Sequence, residues 1–357
     1  MNFKKLALLT LSLSLIFQAC ESDDAVVDLP LGDYENGMLV LNQGNFGAGN
    51  SSISYFSYDY EVFQANAFQA VNPAISLGDT GQDIGFYEDK AFVVMNNSNK
   101  IEIINRYTLE HITTISTGLN NPRYITFAQG KAFVTNWGSG MNPDDDYVAV
   151  YNLNDYSLSA NIPVVEGPER ILTHNNKVYV AHEGGFNFNN QISVINPANN
   201  QVQTTVEVGD VPKSLQVYNN QIYVLCGGIP SWAQNQSETG GSLYKINEAN
   251  EASQVLAFDT SNHPSNLIQE NSQFYFSIDS EVFQMNANAT TVPTSSIFET
   301  TSQGVYGIYS MAIRNGLIHV GDAADYNSNG KILIFQTNGT LVQEKTVGVI
   351  PAGFYFN

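Results

Sequence analysis

A pattern that recurs along the whole chain leaves it few ways to fold. A proline is followed by two residues, an aliphatic, a short polar turn, and an aromatic with Val or Phe after it. It reads Pro122…Ile125…Phe133-Val134, Pro168…Ile171…Tyr179-Val180, Pro212…Leu215…Tyr223-Val224 and Pro264…Leu267…Tyr275-Phe276. In all four copies the aromatic lies eleven residues after the proline. Looser copies are Gly81…Ile84…Phe92-Val93 and Ile308…Met311…His319-Val320. Self-similarity at such a period marks a repeat architecture whose units bury their faces against one another.

Each aromatic is followed by a variable loop and a third apolar run, such as 101–105, 148–152, 192–196, 243–247 and 282–286. A fourth run comes next, as in 112–115, 158–162 and 202–206. The runs are short, rich in Val, Ile, Thr, Tyr and Phe, and often alternate with polar residues, which is strand patterning. No amphipathic helix is evident after the leader. Four short strands per repeat, spaced 41 to 53 residues apart, is the signature of propeller blades. The second-strand positions Leu39, Phe92, Phe133, Tyr179, Tyr223, Tyr275 and His319 number seven. Pro351-Ala352-Gly353-Phe354 begins a repeat that stops at Asn357, and its missing strands are 38–41 and 53–57. The expected fold is therefore all-β: a seven-bladed β-propeller with four antiparallel strands per blade, one blade closed by both termini. Ring closure removes exposed sheet edges.

The expected organisation is a leader over 1–19, a linker over 20–34 and the propeller over 35–357. Lys4 and Lys5 precede an apolar run over 6–17, then Gln18-Ala19-Cys20. This is a secretory signal, too short to span a membrane. Cys20 directly after Ala19 resembles a bacterial lipoprotein signal, which makes Cys20 the lipidated N-terminus and tethers the domain without crossing the bilayer. The acidic Ser22-Asp23-Asp24 resembles the surface-export signal of Bacteroidota lipoproteins. The expected location is the outer membrane, facing outward. Cys226 is the one other cysteine, so no intrachain disulfide or cysteine metal site is expected. With 34 acidic against 14 basic residues, the net charge of −20 argues against nucleic acid as a partner.

In a propeller, loops between second and third strands share one face with the connections between blades. Here those loops are long: 42–50, 136–146, 182–190, 226–241 and 321–329. Turns on the other face are tight, such as Gln129-Gly130 and Asn219-Asn220. Rigid scaffolds carry function on such loops. Both tryptophans, Trp137 and Trp232, fall there, with Phe46, Phe186, Phe188 and Tyr326. Exposed aromatics anchor ligands or pack loop on loop. Of four arginines, Arg123 and Arg170 stand one and two residues after the repeat proline. They face a ligand in the central funnel or pair with Glu166 or Glu169. Asn42, Asn45, Asn136, His182, Glu183, His263 and Asp322 are further candidate polar contacts. Asp325-x-Asn327-x-Asn329-Gly330 has the oxygen spacing of a calcium loop, although Gln336 stands where a bidentate Glu belongs.

No nucleophile elbow, zinc helix motif or phosphate loop appears, and the five histidines form no ligand-spaced pair. The expected role is binding, not catalysis. An alternative is a propeller lyase or glycoside hydrolase acting on surface glycans, with Glu183 and Asp322 as its carboxylates. Another is a protein-interaction platform with no small ligand.

The blade motif, as in Val165-Glu166-Gly167-Pro168…Lys177-Val178-Tyr179-Val180, resembles YncE-type propellers over roughly 35–357. The opening Leu39-Val40-Leu41-Asn42-Gln43-Gly44-Asn45-Phe46-Gly47, behind Cys20, looks like the surface lipoprotein propellers of Bacteroidota. Some of these, the BtuG-like propellers, capture corrinoids and pass them to a TonB-dependent outer-membrane transporter. The resemblance implies a nutrient-capturing lipoprotein with a corrinoid as ligand, not as catalytic cofactor, and such a transporter as partner. It brings no residue-by-residue ligand set.

Overall fold

The computed structural model describes residues 30–357. The leader, Cys20 and Ser22-Asp23-Asp24 lie outside the described residues. The rest forms seven four-stranded antiparallel sheets, each ordered from the axis outward in chain order. The exception to chain order is the first blade, built as Pro351–Phe356, Gly37–Asn42, Ser52–Ser57 and Phe63–Gln64. The C-terminal strand is thus its innermost. Blades two to seven open with inner strands Gly81–Tyr87, Pro122–Ala128, Pro168–His174, Pro212–Tyr218, Ser265–Glu270 and Ser310–Arg314. Each inner strand touches the next round the ring, and Pro351–Phe356 touches both Ser310–Arg314 and Gly81–Tyr87, which closes it.

Second strands are buried almost throughout because a neighbouring blade covers each of their faces. Lys90–Met95 shows this: every residue after Lys90 is buried. Ala91, Val93 and Met95 pack toward blade one with Leu39 and Leu41. Phe92 and Val94 pack toward blade three with Val134, Ala149 and Tyr151. The recurring aromatic is this blade-to-blade filler. Period-two alternation survives in outer strands such as Gln201–Glu207, whose one face meets water.

Two short helices depart from the all-strand expectation. Ala67–Val71 and the 3-10 turn Thr301–Gln303 each lie beside an outer strand cut to two residues, Phe63–Gln64 and Phe298–Glu299. Ala67 and Phe68 bury the helix against strand Ser52–Ser57. Long loops join second to third strands in blades one, three, four, five and seven, as expected. Blade six departs from this rule, with a tight turn there and its long connection, 287–297, on the opposite face.

The repeat proline starts the inner strand, where its missing N–H costs no ladder bond. A β-bulge follows it. In blade three, Pro122 pairs with Asn136 and Ile125 with Val134, so two inner-strand residues oppose one. Blade four repeats this between Pro168 and Ile171, and blades two and five carry related shifts. Bulges re-aim side chains. Here they deliver the two residues after the proline to the central channel.

Candidate functional site

Read blade by blade from the second, those two positions are Gln82-Asp83, Arg123-Tyr124, Glu169-Arg170, Lys213-Ser214, Ser265-Asn266, Tyr309-Ser310 and Ala352-Gly353. All the charge falls on blades two to five. At these positions blades six, seven and one carry neutral residues, small except for Asn266 and Tyr309.

Arg123 forms a bidentate pair with Glu169 on the next blade, with Nε and Nη2 2.7 to 3.1 Å from the carboxylate oxygens. Its guanidinium also lies 4.1 Å over the Trp137 ring. Asp83 accepts from the Ile125 N–H at 3.1 Å and from the Tyr355 hydroxyl at 3.1 Å. Burial raises its pKa, and the Ile125 N–H holds it partly down. Gln82 donates to the Tyr124 hydroxyl at 3.0 Å. These contacts lace blades one to four together at the channel.

Arg170 and Lys213 differ from Arg123. Arg170 lies 4.2 Å over the Tyr124 ring. Among the described residues, neither cation has a carboxylate within ion-pair distance. Both line a cavity of about 480 Å³ that opens on the long-loop face. Glu183, Trp232, His263 and Tyr309 share its wall, and Ser265, Ser277 and Asp279 of blade six continue it beside Lys213. Arg170 is deep in the funnel, yet its surface stays open to it.

Glu183 is the unusual acid. Burial, then the Glu169 charge, pushes its carboxyl up to about 7, while Lys213, Arg170 and Arg123 pull it down. Asp146, in the blade-three loop, is also pushed up to about 7, mainly by burial. Its Oδ2 accepts from the Gly167 N–H at 2.9 Å. A carboxyl that holds its proton more tightly folded than unfolded makes stability fall as pH rises, here from about 4 to about 7. Asp146→Asn keeps an acceptor for Gly167 and removes that penalty. It is expected to stabilise the fold at pH 8 by on the order of 2 kcal/mol and to be neutral near pH 4, read by denaturant titration at both pH values.

The structure sorts the sequence candidates into three groups. Arg170, Glu183, Trp232, His263 and Tyr326 line the cavity. Arg123, Trp137 and Phe186 build its neighbouring wall, with Trp137 and Phe186 edge to face at 5.8 Å. Asn45 and Phe46 sit on the rim, where Asn45 donates to the Tyr326 carbonyl at 3.1 Å and joins the loops of blades one and seven. Phe46, Phe186 and Trp232 are 78%, 71% and 77% exposed, while Phe186 and Trp232 also touch the rings of Trp137 and Phe188 on neighbouring loops.

Asn42, Asn136, His182 and Asp322 are corrections. Each ends a second strand and is buried. Asn42 donates to Ser52 and Ser54. Asn136 accepts from the Asn120 N–H. His182 bonds Ser193 at 2.8 Å and is kept neutral, its pKa pushed down to about 3 by burial. Asp322 accepts from the Ala324 N–H at 2.9 Å and starts its own loop. They shape the loops from within the blades, and Asp322 therefore does not face Glu183 across the funnel. The calcium-spaced loop is an Asx turn. Asp325 accepts from the Asn327 and Ser328 N–H groups at 3.0 and 2.7 Å, and Asn329 belongs to strand Asn329–Gln336. Among the described residues no group of three His, Cys, Asp or Glu is placed to hold a metal ion.

Sequence reading missed Lys213, Tyr309 and Asp83. Lys213 holds the same repeat position as Arg123, one after the proline. Tyr309 and Asp83 hold the matching columns in copies that lack the proline. Aligning the copies in columns would have found all three.

Fold and site together define a seven-bladed propeller with a polar funnel on its long-loop face. The chain belongs to the family described as Domain of unknown function (DUF5074), whose match spans residues 36–357. No curated protein matches the sequence. Among solved structures, the chain is similar to a quinonprotein alcohol dehydrogenase-like protein from Bacteroides thetaiotaomicron, with 12% identity, TM-score 0.67, and 90% and 78% of the two chains covered. It is similar to a functionally unknown protein from Desulfotomaculum acetoxidans at 15% identity and TM-score 0.62, over 90% and 98%. AztD from Citrobacter koseri aligns at 9% identity and TM-score 0.54, over 89% and 96%. At these identities the likeness is one of fold.

Proposed function

We propose that this protein captures a small molecule in its funnel while tethered to the outer membrane through Cys20. One observation carries the reading: an open cavity of about 480 Å³ on the long-loop face combines unpaired cations with exposed aromatic rings. That volume is in the range of ligand pockets, and the mix of a few polar groups with aromatics suits recognition. Its role is binding, not turnover. No helix of the described residues is long and apolar enough to cross a membrane, and a lipid anchor needs none.

A corrinoid is the first candidate ligand. The resemblance to BtuG-like propellers suggests it, and a flat, amide-rimmed ring suits the rim set by Trp232, Tyr309 and Tyr326. It would lie across the mouth with its edge entering the cavity. The exposed rim then offers a TonB-dependent transporter a surface for hand-over.

The test is a visible-light titration of the chain lacking residues 1–20 with cyanocobalamin, then haem. A saturable spectral change at micromolar concentration is expected with cyanocobalamin. Trp232→Ala should weaken it at least tenfold, in line with the ~2 kcal/mol or more carried by a buried aromatic anchor. A flat response to both removes tetrapyrrole-like ligands. A response that Trp232→Ala leaves unchanged moves binding off the funnel.

A further inference from the structure

The cations of this acidic chain are mostly accounted for by its own groups. Lys90, Lys100, Arg123 and Lys331 sit in ion pairs. Arg106, Lys131 and Lys177 donate to carbonyl or amide oxygens. Arg314 lies 3.6 Å over Tyr58, at the seam between blades seven and one. Adjacent inner strands bring Arg170, stacked on Tyr124, and Lys213 to one cavity, and among the described residues neither donates to a protein acceptor. Arg170 is exposed and Lys213 half-buried, so two like charges stand side by side at an open site, where they repel and add nothing to folding.

From these positions we infer that the captured ligand carries a carboxylate or phosphate group, seated on Arg170 and Lys213 at the base of the funnel. This rests on the funnel-capture reading and narrows it to a class of ligand. A guanidinium matches either oxyanion through paired N–H donors, and an ammonium adds a compact charge beside it. Low-dielectric walls concentrate their field in the funnel although the protein as a whole is negative. Blade six, beside Lys213, adds Ser265, Ser277 and Asp279, which are acceptors or hydroxyls. An anion is thus directed to the cations, and a hydroxyl-bearing body to the adjoining blade-six groups. Glu183, on the same wall as the cations, is the internal competitor for them. Its carboxyl titrates near neutral pH, so the site strengthens toward anions as the proton is taken up.

Trp232 borders this funnel and Trp137 stacks on Arg123 beside it, so intrinsic fluorescence reads the site. The probes are sodium glucuronate, inorganic phosphate and glucose, titrated at constant ionic strength at pH 6 and pH 8. Glucuronate or phosphate should give a saturable change, tighter at pH 6, and glucose should give none. Glucuronate alone identifies a carboxylate site, and phosphate alone a phosphate site. Arg170→Gln and Lys213→Gln should each weaken binding about tenfold or more. Glu183→Gln should tighten it severalfold at pH 8 and change it little at pH 6, a signature that loss of structure would not produce. Equal responses to glucose and glucuronate, or binding unmoved by Lys213→Gln in a protein with native circular dichroism, overturn the inference. If neither anion binds while the Trp232-dependent cyanocobalamin titration succeeds, the anion site falls and funnel capture stands. If the cyanocobalamin titration also fails, the anion site and the corrinoid both fall.

Discussion

Ending the chain at Ile350 is expected to abolish cooperative folding. The seven residues removed form the inner strand of the first blade, Pro351–Phe356, and its final anchor, Asn357. Strand Gly37–Asn42, buried along its length, would lose its ladder partner on the axis side. Ser310 would lose the Pro351 carbonyl it donates to at 2.6 Å. Asn357 would no longer donate to the Tyr34 and Arg106 carbonyls at 2.7 and 2.9 Å. The loss reaches both neighbouring inner strands and leaves an open sheet edge, which invites aggregation. It should match the whole stability of a typical domain, about 5–15 kcal/mol. Circular dichroism during thermal unfolding should show no sharp transition. A permuted chain tests the cause. Phe356 pairs with Met38, so a short turn can join the C-terminal strand directly to Gly37. A chain starting at Pro351, running through that turn and ending at Ile350 should regain the transition. If truncation alone leaves a sharp transition, the ring does not depend on closure by both termini.

The second large effect is expected at Arg123. Its partner Glu169 is 5% exposed and accepts three hydrogen bonds from the guanidinium. Arg123→Ala leaves that carboxylate buried and unpaired and removes the cation stacked on Trp137. Breaking a buried pair from one side costs roughly 3–5 kcal/mol. Replacing both partners by apolar residues of similar volume is often neutral, so Arg123→Met with Glu169→Leu should recover most of the loss. Urea titrations of both variants at pH 8 measure this. An equal loss in the single and the double variant would mean that packing on Trp137, not the orphaned charge, dominates.

The charged funnel wall is half legible in the sequence. Arg123 and Arg170 stand out because arginine is scarce, and both are candidates for a ligand or an ion pair. Their fates divide between those readings. Glu169 is adjacent in the chain to Arg170, but the bulge sends the two side chains to different neighbours, so Glu169 closes on Arg123 of the preceding blade. Arg170 is left to the funnel. Forty-six residues separate Arg123 from Glu169, and no local pattern announces such a pair.

The buried polar residues that end the second strands mislead for a related reason. Asn42, Asn136, His182 and Asp322 open long loops, and loop openings read as exposed. They share a repeat column with Cys226, which is also buried. The column is covered by the next blade, so its polar groups bond inward.

By itself the sequence determined the blade count, the strand order and the closure by both termini. These follow from a repeat whose apolar residues must be covered by identical neighbours, and every repeat states that requirement afresh. It also determined which face carries the long loops, because loop length is written directly in the spacing. The tertiary structure alone decided which charges cancel and which remain free. That depends on distances across blades, set by bulges and ring curvature, and a chain read in one dimension holds no record of them.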